Sequence, residues 1–294
     1  MAHLVWQNAP LLTAFSSTAD GGLTWTPARA IRLHPDEIAL NHVQVLPNSD
    51  LLITYQSFST PGFIAGGLQG GELGLFAIRS EDGGESWSDP ATIGQHIEGI
   101  HASVVAPDGS VYVVWETPEV EGRPGLVISR SSDGGATWLP ARHIEAAHFS
   151  AFLPAVTVAP NGTVGVVFDD LRNDQEGDEG KTAEVRLLQS TDGGATWEEL
   201  TLASSFSVED GDWVTFAEGT PFESHNPYLG DHQSVVATKC GLTAIFALGR
   251  PYAVDGSADM FVGTAAVPSE INGEGCRHRR ADSDEPSAQP RGGF

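Results

Sequence analysis

The chain has 294 residues, 40% of them hydrophobic, so it is long enough for one large domain or two small ones and can bury a sizeable core. Acidic residues outnumber basic residues 39 to 15, which gives a formal charge of -24. This balance excludes a protein that binds nucleic-acid phosphates through a basic stripe, and it disfavours an anionic membrane surface.

The sequence features that usually direct a protein to a cellular compartment do not indicate one here. The sequence contains no apolar run long enough for a membrane span, and its first eight residues lack the basic and apolar regions of a secretion signal. The two cysteines, Cys240 and Cys276, form either one disulfide or two separate thiols. The localisation therefore stays open.

A short repeat occurs four times. Each copy reads Ser or Thr, any residue, Asp-Gly-Gly, any residue, Ser or Thr, and Trp. The aspartates are Asp20, Asp82, Asp133 and Asp192. Asp-Gly-Gly favours a tight turn, because glycine reaches positive φ without steric cost and the carboxylate accepts backbone N–H bonds. We therefore expect these aspartates to be structural, and the final tryptophans to be largely buried under their own hairpins. Those tryptophans are Trp25, Trp87, Trp138 and Trp197.

The repeat resembles the Asp-box, or BNR repeat, of the sialidase superfamily. The resemblance covers residues 1 to about 265 and implies an all-β fold, a sialidase-type β-propeller of four-stranded blades in a six-bladed family. Because catalytic and non-catalytic propellers share the repeat, the resemblance says less about chemistry than about fold.

The predicted elements recur along the chain as strand, turn, strand, followed by a third strand, the Asp-box turn and an outer strand. This order is typical of one propeller blade. The predicted blades are about 1–37, 38–97, 98–146, 147–203 and 225–268. The first lacks its inner strand, so the chain looks short at its N-terminus, and the last lacks an Asp-box. Residues 269–294 are expected to form a disordered tail.

Polar residues gather where inner strands begin and second strands end, which in a propeller is one face around the axial channel. His42, His101 and the Asp231-His232 pair begin inner strands, whereas Glu116, Asp169, Asp170, Arg172 and Arg250 lie at or after the ends of second strands. Each of these residues alone is explained by capping and by bonds between blades. Together they form a candidate binding site, because polar groups of both charges converge on a concave mouth.

Two stretches sharpen the resemblance. Residues 168–174, Phe-Asp-Asp-Leu-Arg-Asn-Asp, resemble the Asp-x-Arg-Asn stretch of bacterial BNR-repeat proteins, and residues 230–232 resemble their Gly-Asp-Tyr stretch, with histidine in place of tyrosine. The acidic segment 174–180 is expected to be a solvated loop, because its spacing does not match a calcium-binding EF-hand.

Sialidases remove a terminal sialic acid with three arginines on its carboxylate, a Tyr–Glu nucleophile pair and an Asp general acid. The resemblance implies a set of catalytic candidates: Glu116 as the base, Tyr228 or Tyr252 as the nucleophile, and Asp170 and Asp231. The implied substrate-binding candidates are Arg172, Arg250, His101, His232 and His42. For Arg172 the alternative is an ion pair with Asp169, Asp170 or Asp174.

The resemblance thus implies an exo-sialidase-type glycoside hydrolase that releases terminal sialic or related acidic sugars. It implies an acidic sugar or glycan ligand, a monomer, no cofactor and no metal. One alternative is a non-catalytic propeller that binds glycans or proteins. Another is a propeller lyase or an enzyme of secondary metabolism, which would use the histidines as acid and base.

Overall fold

The computed structural model describes residues 1–8, 12–31, 37–58, 73–120, 123–144, 147, 150–175, 181–208, 212–215, 225–228, 233–238, 241–249 and 258–265. These residues form twenty β-strands and almost no helix, which confirms the all-β prediction. No helix in these ranges has the length and apolar character that a bilayer span requires.

Five antiparallel sheets follow one another along the chain. Sheet I has the order β1-β2-β3 and consists of Ala2–Asn8, Leu12–Thr18 and Arg29–Ile31. Sheet II, in the order β4-β5-β6-β7, consists of Glu37–Val45, Leu51–Phe58, Leu73–Ser80 and Ala91–Gln95. Sheet III, in the order β8-β9-β10-β11, consists of Glu98–Val105, Val111–Val120, Arg123–Ser131 and Arg142–His143.

The remaining strands complete the series. Sheet IV, in the order β12-β13-β14-β15, consists of Ala151–Val158, Val164–Asp170, Thr182–Ser190 and Glu198–Ser207. A separate two-stranded ladder pairs β16, Asp212–Thr215, with β17, His225–Tyr228. Sheet V has the order β18-β19-β20 and consists of Ser234–Thr238, Gly241–Gly249 and Ala258–Ala265.

The sheets match the predicted strand–turn–strand units, since each unit supplies the first two strands of sheets II to V. The sequence did not anticipate the β16–β17 ladder. The number of blades stays a prediction, because the described strands do not show a closed ring. The predicted tail and both cysteines lie outside the described residues.

The core is divided into four clusters, and each cluster fills the space between two successive sheets. Strand β5 shows how the sequence produces this arrangement. Leu51 and Ile53 point into the cluster shared with sheet I, whereas Leu52 points into the cluster shared with sheet III. Because both faces are covered, the strand is a continuous apolar run rather than an alternating one.

The Asp-box turns share one hydrogen-bond pattern. In the second copy, the Ser86 amide donates to Asp82 Oδ1 at 2.8 Å, and the Ser80 hydroxyl donates to the same carboxylate oxygen at 2.8 Å. The Gly84 amide in turn donates to Ser80 Oγ at 2.7 Å. The hydrogen bonds from Ser86 hold the pKa of Asp82 well below its usual range. The aspartates therefore stabilise turns, as expected.

The second glycine of each later Asp-box lies against the preceding sheet. Gly135 has φ +90°, and a Cβ added there would lie 2.5 Å from a Leu52 methyl carbon of sheet II. Gly84 has the same φ, and its Cβ would lie 2.4 Å from the Phe15 ring of sheet I. Glycine is needed at these positions for both backbone conformation and space. The first box differs, since a Cβ at Gly22 would meet nothing within 4 Å.

The tryptophan prediction is wrong for the first repeat and too strong for the others. Trp25 is 44% exposed. Trp87, Trp138 and Trp197 are partly buried, and each packs on the cluster between its own sheet and the preceding one. A neighbouring sheet, rather than the hairpin alone, therefore buries the ring.

Candidate functional site

The candidate site begins at irregularities in three inner strands. The pairing of β4 with β5 shifts register between Ala39 and Asn41, and β8 with β9 shifts between Glu98 and His101. In sheet IV the shift between β12 and β13 falls between Phe152 and Ala155. Such bulges bend a strand and redirect its side chains, and they are common beside functional sites.

The second strands carry a repeated pair of residues opposite these bulges. An aromatic residue stands at the fifth position of each strand, and all three are fully buried: Tyr55, Trp115 and Phe168. A polar residue follows immediately in each case: Gln56, Glu116 and Asp169. The three polar residues therefore occupy the same, sixth position in the second strands of neighbouring sheets.

Two of these polar side chains bond the inner strand of the next sheet, and the third bonds the residue directly before that strand. Gln56 Nε2 donates to the Gly99 carbonyl at 3.2 Å. The Leu153 amide donates to Glu116 Oε1 at 2.9 Å. Asp169 accepts a hydrogen bond from the Gln233 side chain, directly before sheet V. We call this repeated contact the inter-sheet clasp; it fixes the strand ends relative to one another.

Leu153 connects two clasps. Its φ is +52°, in the left-handed region that a leucine rarely adopts, and it lies within the β12 bulge. Its amide bonds Glu116, and its carbonyl accepts from Gln233 Nε2 at 3.0 Å. The strained peptide thereby links Glu116 of sheet III with the glutamine that bonds Asp169 of sheet IV. Strained backbone of this kind persists where the surrounding contacts fix it.

Asp169 has an unusual electrostatic environment. Its side chain is 2% exposed, and its Oδ1 atom has no hydrogen-bond partner among the described residues. Burial raises the pKa of Asp169 to about 8; the negative charge of Glu116 adds to the rise, and the Gln233 hydrogen bond opposes it. Asp169 is therefore mostly protonated at neutral pH and has a proton to donate.

Glu116 differs from Asp169 in its surroundings. The side chain is partly exposed, and its carboxylate accepts the Leu153 amide. A Cβ added at Gly99, whose φ is +67°, would lie 2.8 Å from Glu116 Oε1. The absence of a side chain at position 99 thus leaves room for this carboxylate. Two neighbouring carboxyl groups with different environments are what acid–base chemistry requires.

Asp170 and Arg172 belong to an ion-pair network rather than to the clasp. Asp170 is fully buried, and its carboxylate pairs with the Arg172 guanidinium and lies 3.4 Å from Arg186 Nε. Arg172 also reaches Glu199 at 3.1 Å, and Arg186 pairs with Glu184 and Glu199. This network is the structural ion pair that the sequence left as the alternative for Arg172.

His42 and His101 come together between sheets II and III. Their rings meet edge to face with centroids 4.7 Å apart. His101 is 1% exposed, and its Nε2 lies 3.2 Å from Thr54 Oγ1, which also bonds Ser103 at 2.9 Å. Burial lowers the pKa of His101 well below its ordinary value, and the neighbouring His42 adds to the effect. His101 is therefore buried and neutral between sheets II and III, and its role in substrate binding stays a prediction.

The other predicted site residues cannot be placed relative to the clasp. Tyr228 ends β17, whose backbone pairs with Asp212 of β16. Asp231, His232, Arg250 and Tyr252 lie outside the described residues. Within the described ranges, no group of three or more His, Cys, Asp or Glu side chains is arranged to hold a metal ion. The assigned roles of these residues stay predictions.

Sequence reasoning named Asp169 only as a strand-end residue and preferred its neighbour Asp170. Adjacent residues on a strand point to opposite faces, so the choice depended on register. The usable signal was that Gln56, Glu116 and Asp169 each directly follow an aromatic residue in a predicted second strand. The backbone contribution of Leu153 had no such signal.

Successive antiparallel sheets, four of which carry an Asp-box turn between their last two strands, define a propeller-like protein of the Asp-box class. The family model described as "BNR repeat-like domain" matches residues 41–234. The chain therefore belongs to this family, within the sialidase superfamily. No curated protein sequence matches the chain significantly.

Solved structures with a similar fold include three proteins of distant sequence. A Penicillium chrysogenum α-L-arabinanase complexed with arabinobiose is 16% identical, with TM-score 0.55, over 90% of this chain and 75% of that one. A Fusarium graminearum α-L-arabinofuranosidase with an iminosugar inhibitor is 14% identical, with TM-score 0.52, over 90% and 89%. A Trypanosoma rangeli sialidase with 2,3-difluorosialic acid is 20% identical, with TM-score 0.50, over 86% of this chain but only 41% of that one.

Proposed function

We propose that the protein is a glycoside hydrolase in which Asp169 is the general acid and Glu116 is the nucleophile or general base. The observation that carries the proposal is the pair itself. A buried carboxyl with a raised pKa and a hydrogen-bonded carboxyl occupy equivalent positions in the second strands of neighbouring sheets.

Glycosidic bond cleavage needs these two groups. One carboxylic acid protonates the leaving oxygen while a carboxylate acts on the anomeric carbon, directly or through water. An acid that is still protonated near pH 7 needs a raised pKa, which burial and a nearby like charge supply at Asp169. The Leu153 amide donates to Glu116 Oε1 and orients this carboxyl group for the second role.

The proteins of similar fold are consistent with this reaction class. The α-L-arabinanase is complexed with a sugar and the α-L-arabinofuranosidase with an iminosugar inhibitor, and the sialidase holds a covalent intermediate. These proteins share the fold with this chain at low identity. The reaction class is therefore argued from the carboxyl pair, and the fold makes a glycan substrate a consistent choice.

The finer hypothesis is exo-sialidase activity on terminal sialic or related acidic sugars. It requires guanidinium groups that hold a substrate carboxylate. Arg172 is engaged by Asp170 and Glu199, so sialidase activity would require Arg172 to exchange these partners for the substrate. We therefore test neutral and acidic glycosides in parallel.

The alternative of a histidine-dependent lyase receives less support. It needs histidines that exchange protons near neutral pH. His101 is buried beside Thr54 with a pKa far below neutrality. A non-catalytic glycan-binding propeller remains the alternative that the experiment below must exclude.

The test measures sugar release from 4-nitrophenyl α-L-arabinofuranoside, 4-nitrophenyl β-D-xyloside and a fluorogenic sialoside. The wild type should hydrolyse at least one of them. Asp169→Asn and Glu116→Gln, which preserve side-chain shape, should each lower kcat about 10²–10⁴-fold, the usual contribution of an acid or base. Glu85→Gln changes a carboxylate that is 70% exposed and should leave kcat unchanged. Wild-type protein that binds sugars but hydrolyses none would identify a binding propeller instead.

A further inference from the structure

An open groove of about 380 Å³ lies on the outer edge of the molecule, between two Asp-box turns. One wall is the turn between β6 and β7 in sheet II, and the other is Gly135 and Ala136 of the turn between β10 and β11 in sheet III. We call it the edge groove. It lies at the β6–β7 and β10–β11 turns, whereas the Glu116–Asp169 pair lies at the ends of β9 and β13.

The groove has the components of a sugar-binding surface. Trp87, which is partly buried and packs edge to face on Phe15, supplies an aromatic wall. Glu81 and Asp89 supply exposed carboxylates, which accept hydrogen bonds from hydroxyl groups. An aromatic ring beside a few fixed polar groups is the usual composition of a small-molecule site.

Arg79 makes one side of the groove rigid. Its Nη2 donates to Asp50 at 2.9 Å, and its Nη1 donates to the Asp133 carbonyl at 3.3 Å, which ties sheet II to the next Asp-box turn. Its buried Nε atom has no hydrogen-bond partner among the described residues. The guanidinium is thus held in place before any ligand arrives, which reduces the entropy cost of binding.

The charge of the groove indicates which sugars it accepts. Arg79 pairs with Asp50 at 2.9 Å and lies 3.9 Å from Glu81, so the carboxylates of Asp50, Glu81 and Asp89 outnumber the one guanidinium and leave the groove negative. An acidic sugar would be repelled, whereas the hydroxyls of a neutral sugar can donate to these carboxylates. The volume lies at the small end of the range for ligand sites, which suits one or two sugar rings.

The next pair of turns offers a natural comparison. Arg130 and Trp138 repeat Arg79 and Trp87, but Ser132 stands where Glu81 would be, and Pro140 replaces Asp89. The third Asp-box turn therefore lacks both carboxylate acceptors. An Asp-box turn can therefore form without carboxylates at these two positions.

We infer that the edge groove is an auxiliary site that binds a neutral sugar unit, independently of any hydrolysis at Glu116 and Asp169. Such a site would hold a glycan chain against the outer edge of the protein. Its ligand class, a neutral pyranoside, differs from the acidic sugar that an arginine-based sialidase site would hold.

The test uses full-length protein labelled with 5-fluorotryptophan, which gives one ¹⁹F resonance for each of the seven tryptophans. Trp87→Phe serves only to assign the Trp87 signal. Lactose, cellobiose and xylobiose are the neutral probes, and glucuronic acid is the acidic probe. At least one neutral probe should shift the Trp87 signal saturably, and glucuronic acid should bind at least about tenfold more weakly, a difference that a modest repulsion supplies.

A substitution that fills the groove tests the site, and the same substitution in the next Asp-box is the matched control. Ala136 is exposed and lines the groove, so Ala136→Tyr should abolish the shift without disturbing the core. Ala195→Tyr places the same ring at the equivalent exposed position of the next Asp-box and should leave the shift intact. The inference is overturned if no neutral probe shifts Trp87, if glucuronic acid binds as well, or if both tyrosine variants behave alike. Because the readout is binding, none of these results depends on glycosidase activity.

Discussion

Replacing Asp169 with asparagine should change how the stability of the protein depends on pH. The folded-state pKa of Asp169 is about 8, against an ordinary value of 3.8, because the carboxyl is buried beside Glu116. Between these two values the folded protein binds a proton that the unfolded chain releases, so the wild type loses stability as pH rises from about 4 to about 8. Asparagine has no proton to lose and removes this contribution.

The size of this stability change follows from the difference between the folded and unfolded pKa values of Asp169. Roughly 4 pKa units at about 1.4 kcal/mol each give an upper limit of about 5–6 kcal/mol for the whole interval. Relaxation around the ionised carboxylate and entry of water lower this figure, so we expect about 2–4 kcal/mol. The gain of Asp169→Asn over wild type should therefore grow steadily with pH and level off above pH 8.

The assay is urea unfolding of both proteins at pH 5, 6, 7, 8 and 9. Subtracting the two free energies of unfolding at each pH cancels the titration of all other groups. A difference that does not vary with pH would refute a raised pKa at Asp169. A difference that shrinks as pH rises would mean that the ionised form is stabilised, and Asp169 would then not be a general acid.

Three further predictions concern packing and protonation. Trp138→Ala should cost about 2–3 kcal/mol, below the range for fully buried aromatic residues, whereas Trp25→Ala should cost under about 1 kcal/mol, as measured by urea unfolding. Gly135→Ala should destabilise more than Gly22→Ala by about 1–3 kcal/mol, because both need positive φ but only the first Cβ would strike the neighbouring sheet; equal losses would contradict that packing. His101 has a lowered pKa, so the folded protein should lose stability as pH falls below about 6.5, and His101→Gln should reduce that loss in thermal melts between pH 5 and 7.

The fold was largely predictable because its signals are local. An Asp-Gly-Gly turn needs positive φ and a carboxylate acceptor within a few residues, so it can be recognised from the sequence alone. Apolar strands on either side of each turn then give the four-stranded units of sheets II to IV. Burial of the tryptophans was overestimated, because it depends on the preceding sheet, and Trp25 is left 44% exposed.

The candidate site was less predictable because it depends on register and backbone shape. Asp169 and Asp170 are adjacent and chemically identical, yet one joins the inter-sheet clasp and the other an ion-pair network with Arg172. The bulge at Leu153 supplies both an amide and a carbonyl to the site, and no pattern of side chains in the sequence predicts this bulge. The family resemblance suggested acids at the strand ends, but the register determines which acid becomes buried.

The central claim is that Asp169 donates a proton to the leaving group of a glycoside. It is tested most directly by hydrolysis of glycosides of one sugar, the sugar that wild type accepts, with leaving groups from 2,4-dinitrophenol to methanol. Asp169→Asn should retain kcat/KM within about tenfold for the dinitrophenyl glycoside, which leaves without protonation, and lose about 10²–10⁴-fold for the methyl glycoside. An equal loss across the whole series, or full activity on the methyl glycoside, would contradict the assignment of Asp169 as the general acid.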